Sequence, residues 1–181
     1  MRKIVRPKVA VIFGSMSDVE RFEVENLETG EITHCGLEIF DPMRVGFIAS
    51  VYSAHRNDDE LREFCDELVK RGVAVFICVA GRSAHLAGVV SAHFHGAVPV
   101  LGVAMSDKNG NQIVTQAAVL SQICMPPGTP LAFMGEDLVG LINAAQFATS
   151  IVAYGNSRDQ YDDLEEHLIK NGKKPVPQLD W

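Results

Sequence analysis

The residues able to do chemistry fall in three short polar segments. They are Gly14-Ser15-Met16-Ser17-Asp18, Ser53-Ala54-His55-Arg56 and Gly81-Arg82-Ser83-Ala84-His85-Leu86. In the first, glycine permits close backbone approach, and the hydroxyls of Ser15 and Ser17 can donate to a phosphate beside the free N–H groups of a following helix. In the second, His55 is of the residue type suited to shuttle a proton. Its neighbour Arg56 can fork onto phosphate or carboxylate oxygens. The third can close a pocket with backbone donors. Each segment alone also reads as a turn with helix caps, and His55 as a surface histidine beside an ordinary arginine. His93 and His95 invite a metal. At i, i+2 on a helix their side chains diverge, and no third ligand stands in register, so no metal site is expected. His34 and His167 read as surface residues. There is no G-x-S-x-G elbow, Walker loop or dinucleotide fingerprint. No spacing supports a Ser-His-Asp hydrolase built on Ser15 or Ser53.

What the three segments share is the element before each. Val9 to Phe13, Phe47 to Tyr52 and Val73 to Ala80 are short apolar runs that read as strands. Pro99 to Met105 and Leu131 to Met134 are two further candidates. Strands apolar on both faces suit a parallel sheet covered by helices on each side. Helices are predicted between them. The clearest spans Asp58 to Arg71, with Asn57 as its cap, acidic residues in its first turn, and Leu61, Phe64, Cys65, Leu68 and Val69 on one face. Others are predicted over Ser83 to Phe94, Asn111 to Ile123 and Glu136 to Tyr154. The β-α-β-α order predicts a three-layer α/β sandwich with a doubly wound parallel sheet. In such folds ligands sit beyond the carboxyl ends of the strands, where all three polar segments lie. Val19 to Ile32 is charged and carries Thr29-Gly30 as a turn signal. It reads as a hairpin-like excursion or an irregular helix start.

Composition bounds the rest. A chain of 181 residues, 47% apolar and 22% charged, is expected to form one domain with its own core. Residues 1–155 are read as that domain and 156–181 as a C-terminal helix and loose tail. A net charge of −7 argues against a general nucleic-acid binder, although a local pocket of donors can still hold a small phosphorylated ligand. Cys35, Cys65, Cys78 and Cys124 lack knuckle or redox spacing, which points to a reducing, cytoplasmic setting. No leader is read in Met1 to Lys8. No apolar run approaches the roughly 20 residues needed to span a bilayer.

In order and spacing, the segments resemble the PurE family. The resemblance rests on Gly14-Ser15-Met16-Ser17-Asp18, Ser53-Ala54-His55-Arg56, and Ala80-Gly81 followed by Ala84-His85-Leu86 and Gly88. Pro99-Val100-Leu101-Gly102-Val103, Met125-Pro126-Pro127-Gly128 and the helix around Asn143-Ala144-Ala145 add to it. It covers Val9 to Ala153 and implies a flavodoxin-like fold and a homo-octamer with sites at subunit contacts. The implied activity is the carboxylate-shifting N5-carboxyaminoimidazole ribonucleotide mutase or the related aminoimidazole ribonucleotide carboxylase. No metal or organic cofactor is implied. His55 would be the acid/base. Ser15, Asp18 and Arg56 would bind the ribonucleotide, with Asp18 at the ribose and the other two at the phosphate. Ala80 to Leu86 would cover the base and the carboxylate or CO2.

The chain departs from the family pattern in three places. Asn57-Asp58 stands where the mutase branch has Thr-Pro. Gly81-Arg82-Ser83 looks like the carboxylase branch, which uses free CO2, whereas Ala84-His85-Leu86 and Arg56 look like the mutase branch. The stretch from Asp18 to Ser53 is longer than usual, with the excess in Val19 to Glu31. A PurE-like enzyme for another substrate and a non-catalytic binding homologue are the alternatives.

Overall fold

The computed structural model describes residues 7–25 and 32–156, together with Leu164, Glu166, His167 and Lys170. Five parallel strands form the main sheet: β1 (Pro7–Phe13), β4 (Gly46–Val51), β5 (Val75–Gly81), β6 (Val100–Met105) and β7 (Ala132–Glu136). Their order is β4-β1-β5-β6-β7. Counted along the chain this is 2-1-3-4-5, the flavodoxin order, with its switch point between β1 and β5. The expected α/β class and doubly wound sheet are both present.

Alternation along each strand divides the core. Val9, Val11 and Phe13 of β1 and Val75, Ile77 and Val79 of β5 face Leu141, Ala144, Ala145 and Ala148 of α5 (Asp137–Asn156). Their neighbours Ala10, Ile12, Phe76 and Cys78 face the other layer. That layer contains α2 (Asp58–Lys70), α3 (Leu86–His93) and α4 (Gln112–Ile123). Every residue of β6 is buried, as a central strand requires, whereas edge strand β4 alternates partly buried with exposed residues.

The start of the site keeps the expected helix and takes the hairpin alternative for the excursion. The helix after Gly14-Ser15 is a single turn, α1 (Met16–Val19). The charged excursion then forms a hairpin, β2 (Glu23–Glu25) antiparallel to β3 (Ile32–His34). Its Thr29-Gly30 turn signal lies outside the described residues. A short 3₁₀ turn (Glu38–Phe40) leads into β4.

The C-terminal tail reading also lies largely outside the described residues. Leu164 is helical and buried in the α5-side core. One expectation is corrected. Among the described residues, Asp137–Gly155 is long and apolar enough by length and composition to cross a membrane. The reason is its alanine-rich face, which lies against β5, β6 and β7 as a core helix.

Candidate active site

The carboxyl ends of β1, β4, β5 and β6 meet around one cavity of about 710 Å³. β1 delivers Gly14, Ser15, Ser17 and Asp18 to it. Gly14 is held there by donating its N–H to Val79 O at 2.8 Å. A Cβ at Gly14 would stand 3.3 Å from that of Ala80, so the two loops approach through the missing side chain. The Ser15 hydroxyl lies 2.8 Å from Asp18 Oδ2, to which it donates, and 2.9 Å from the Ser17 hydroxyl. Burial pushes the Asp18 carboxyl above its ordinary range. The Ser15 bond and the nearby charges of Lys108 and Arg21 oppose that shift without cancelling it.

The loop after β4 brings Ser53, Ala54, His55 and Arg56 to the cavity. Here Asn57 corrects its expected role. Its side chain does not cap α2. Instead Asn57 Oδ1 accepts the Ser53 N–H at 2.8 Å, and the amides of Arg56 and Asn57 donate back to Ser53 O at 3.2 and 3.1 Å. The loop is thus closed by its own hydrogen bonds. Arg56 reaches Gly14 O only weakly, at 3.4 Å.

From β5 come Ala80, Gly81, Arg82, Ser83, His85 and Leu86. Arg82 adopts a left-handed backbone at φ 58°. Non-glycine residues rarely hold this conformation, and such strain clusters at functional sites. Ala84 corrects its expected place: it is 1% exposed in the helix-side core and does not line the cavity. His85 meets His55 across the site. Their rings stand edge to face, with centroids 5.0 Å apart, and His55 Nε2 lies 2.9 Å from His85 Nδ1. One ring must donate and the other accept, so each sets the tautomer of the other.

A fourth wall was missed. The loop after β6 supplies Ser106, Asp107, Lys108 and Asn109, with Met105 and Val114 at its ends, and Arg21 joins from beyond α1. The signal was present, because Ser106-Asp107-Lys108-Asn109 is a polar run directly after an apolar strand, as in the other three. Nothing in the sequence marked Arg21.

His93 lies outside the cavity, with Nε2 2.8 Å from Asp66 Oδ1. No three His, Cys, Asp or Glu side chains among the described residues are placed to share a metal ion.

The family model described as AIR carboxylase matches residues 8–173. The chain belongs to the AIR carboxylase family. Within the family, a relative from Pyrococcus abyssi named N5-carboxyaminoimidazole ribonucleotide mutase is 33% identical over 94% of this chain and 84% of its own. The Pseudomonas aeruginosa protein of the same name is 32% identical over 93% of this chain and 92% of its own. A Methanothermobacter thermautotrophicus relative named probable N5-carboxyaminoimidazole ribonucleotide mutase is 35% identical over 97% of this chain, which spans 47% of that longer protein. The crystal structure of Treponema denticola PurE shares the fold of this AIR carboxylase family member, with a TM-score of 0.69 over 92% of each chain and 19% identity.

Proposed function

We propose that the chain is an N5-carboxyaminoimidazole ribonucleotide mutase of purine biosynthesis. The observation that carries this reading is the cavity itself, which gathers the His55–His85 pair, the Ser15 and Ser17 hydroxyls, and the cations of Arg56, Arg82 and Lys108. A substrate with a phosphate at one end and a carboxylate at the other needs those groups. The full-length relatives of the same name support it.

In this reading the substrate's N–CO2 bond breaks and His55 in its protonated form delivers a proton to the nitrogen. The ring carbon then attacks the retained CO2, and neutral His55 takes the ring proton, which restores the starting state. Acid/base help of this kind supplies about 10² to 10⁴ in rate. Holding CO2 against the ring contributes more, up to roughly 7–11 kcal/mol. Ser15 and Arg56 hold the phosphate, Asp18 the ribose, and the loop from Ala80 to Leu86 covers the base and CO2. No cofactor enters these steps.

A second reading, an aminoimidazole ribonucleotide carboxylase using free CO2, is favoured by Gly81-Arg82-Ser83. One assay separates the two. Purified protein is given the N-carboxylated ribonucleotide in CO2-depleted buffer, or aminoimidazole ribonucleotide with bicarbonate. Turnover of the first without bicarbonate is expected. Turnover of the second alone would establish the carboxylase, and turnover of neither would sink the enzyme reading in favour of a binding homologue.

The same reading makes the chain a homo-octamer, supported by exposed apolar residues on α4 and α5. A cytoplasmic setting accords with the free thiols of Cys35, Cys65, Cys78 and Cys124.

A further inference from the structure

Of the four cations that line the cavity, Arg21 is engaged through both terminal nitrogens. Its Nη2 lies 2.8 Å from Asp137 Oδ1 and 2.9 Å from Ser106 Oγ, and its Nη1 donates to Ser106 O at 2.8 Å. Asp137 holds the same serine from the other side. It accepts the Ser106 N–H at 3.0 Å and the Ser106 hydroxyl at 2.6 Å. The amide, carbonyl and hydroxyl of Ser106 are therefore all bound, by partners 85 and 31 residues away in the chain. Asp137 does this from a left-handed backbone at φ 50°, a conformation that persists only where its surroundings enforce it.

The loop beyond Ser106 is held as well. Asp107 donates its N–H to Thr115 Oγ1 at 2.9 Å, and its Oδ2 accepts the amides of Asn109 and Asn111 at 3.0 and 3.2 Å. Lys108 lies between these anchors. Its ammonium makes no hydrogen bond or ion pair with any described residue, yet its charge is felt at Asp18, beside the serine hydroxyls. Fixing a loop at both ends so that an unpaired ammonium faces a cavity makes sense if an anion arrives there. Arg56 alone, weakly tethered to Gly14 O, is a thin complement for a phosphate dianion.

We propose that Lys108 binds the substrate phosphate and that Asp137, outside the cavity, is a positioning residue that aims the Lys108 loop through Ser106 and Arg21. This rests on the ribonucleotide reading above. The test measures calorimetric affinity for aminoimidazole ribonucleotide and for the matching nucleoside, which lacks the phosphate, alongside KM and kcat.

Lys108→Ala is expected to weaken the nucleotide about tenfold and leave the nucleoside unchanged, with Lys108→Arg restoring most of the loss. Asp137→Asn is expected to raise KM several-fold with kcat within about twofold, and to add nothing when Lys108 is already alanine. Equal weakening of nucleotide and nucleoside by Lys108→Ala, or no weakening, would overturn the assignment. Additive effects in the double variant would reduce Asp137 to a structural brace. Because Lys108 is exposed on a loop, its variants remain informative even if Asp137→Asn fails to fold. A wild-type chain that prefers neither ligand would instead sink the ribonucleotide reading and this one with it.

Discussion

At the scale of single residues, the His55–His85 contact is where the proposed mechanism moves its protons. At 2.9 Å from the His85 imidazole, His55 Nε2 is engaged and the two rings' tautomers are coupled, which leaves Nδ1 of His55 as its other nitrogen. His55→Asn keeps a polar side chain of similar shape but removes the imidazole proposed to transfer protons. It is expected to lower kcat by about 10² to 10⁴ while nucleotide affinity stays within about threefold, as read by stopped assays and calorimetry. Wild-type turnover in that variant would remove His55 from the mechanism. Asp18 makes a separate prediction. Its carboxyl is raised by burial, so the native state binds more protons than the unfolded chain between the ordinary value of 3.8 and the raised one. Stability therefore falls as pH rises through that window, and the cost persists above it. Asp18→Asn is expected to melt about 1–3 °C higher than wild type near pH 7, a gain that disappears near pH 4, while its nucleotide KM rises. A variant that melts lower at neutral pH would mean the carboxylate is stabilised by its neighbours after all. His55, Arg56 and Asp18 were legible in the sequence because each follows an apolar run by a few residues. The pairing of His55 with His85 was not, because 30 residues separate them and only the sheet brings them together.

At the scale of elements, apolar strand runs fix where loops begin, and those runs were the clearest signal in the chain. β1, β4, β5, β6 and β7 all fall within two residues of their predicted limits. The helix after Gly14-Ser15 is present but its limits could not be read, because Met16 to Val19 offers one turn before the chain leaves for the hairpin, too short for a periodic face to show. The cap at α2 failed for a chemical reason: the Asn57 carboxamide oxygen bonds the Ser53 amide in place of the first-turn amides of the helix. Close approach of elements makes a sharper prediction on the other side of the sheet. In α5, a Cβ at Gly140 would lie 2.5 Å from Gly135 O and 3.0 Å from Val103 Cγ1. Gly135 itself sits at φ +116°, so neither backbone can yield easily. Gly140→Ala is expected to cost about 1–3 kcal/mol despite the better helix propensity of alanine, measured as a lower urea midpoint. A neutral or stabilising result would mean that α5 slides on the sheet. Such a slide would disturb Asp137 at its first residue, and so couple helix packing to the site through Ser106.

At the scale of the whole molecule, the two apolar helices α4 and α5 lie on opposite layers, and each exposes large apolar side chains. α5 exposes Leu138, Val139, Ile142, Phe147 and Tyr154, with Val139 at 68%, and α4 exposes Ile113, Leu120 and Ile123, with Ile113 at 78%. Neither helix carries a lysine, arginine or glutamate, which a solvated face would ordinarily include. Such an outer surface supports the proposed self-association, because scattered apolar residues are common but rows of them along two helices are not. The sequence showed the apolar content of these helices but not which side of each would be left over, since that depends on which face the sheet takes. If the proposed octamer buries these rows, opposing its association is straightforward. Val139→Glu combined with Phe147→Glu places two carboxylates on the outer face of α5 without touching the core. The variant is expected to keep its far-ultraviolet dichroism while its mass by light scattering falls from the assembly to a smaller species. Turnover should fall with the mass if subunit contacts complete the cavity, whose entrance is open in the single chain. A wild-type protein that runs as a monomer would exclude the octamer. A dispersed variant with full activity would show that the four loops of one chain suffice for catalysis.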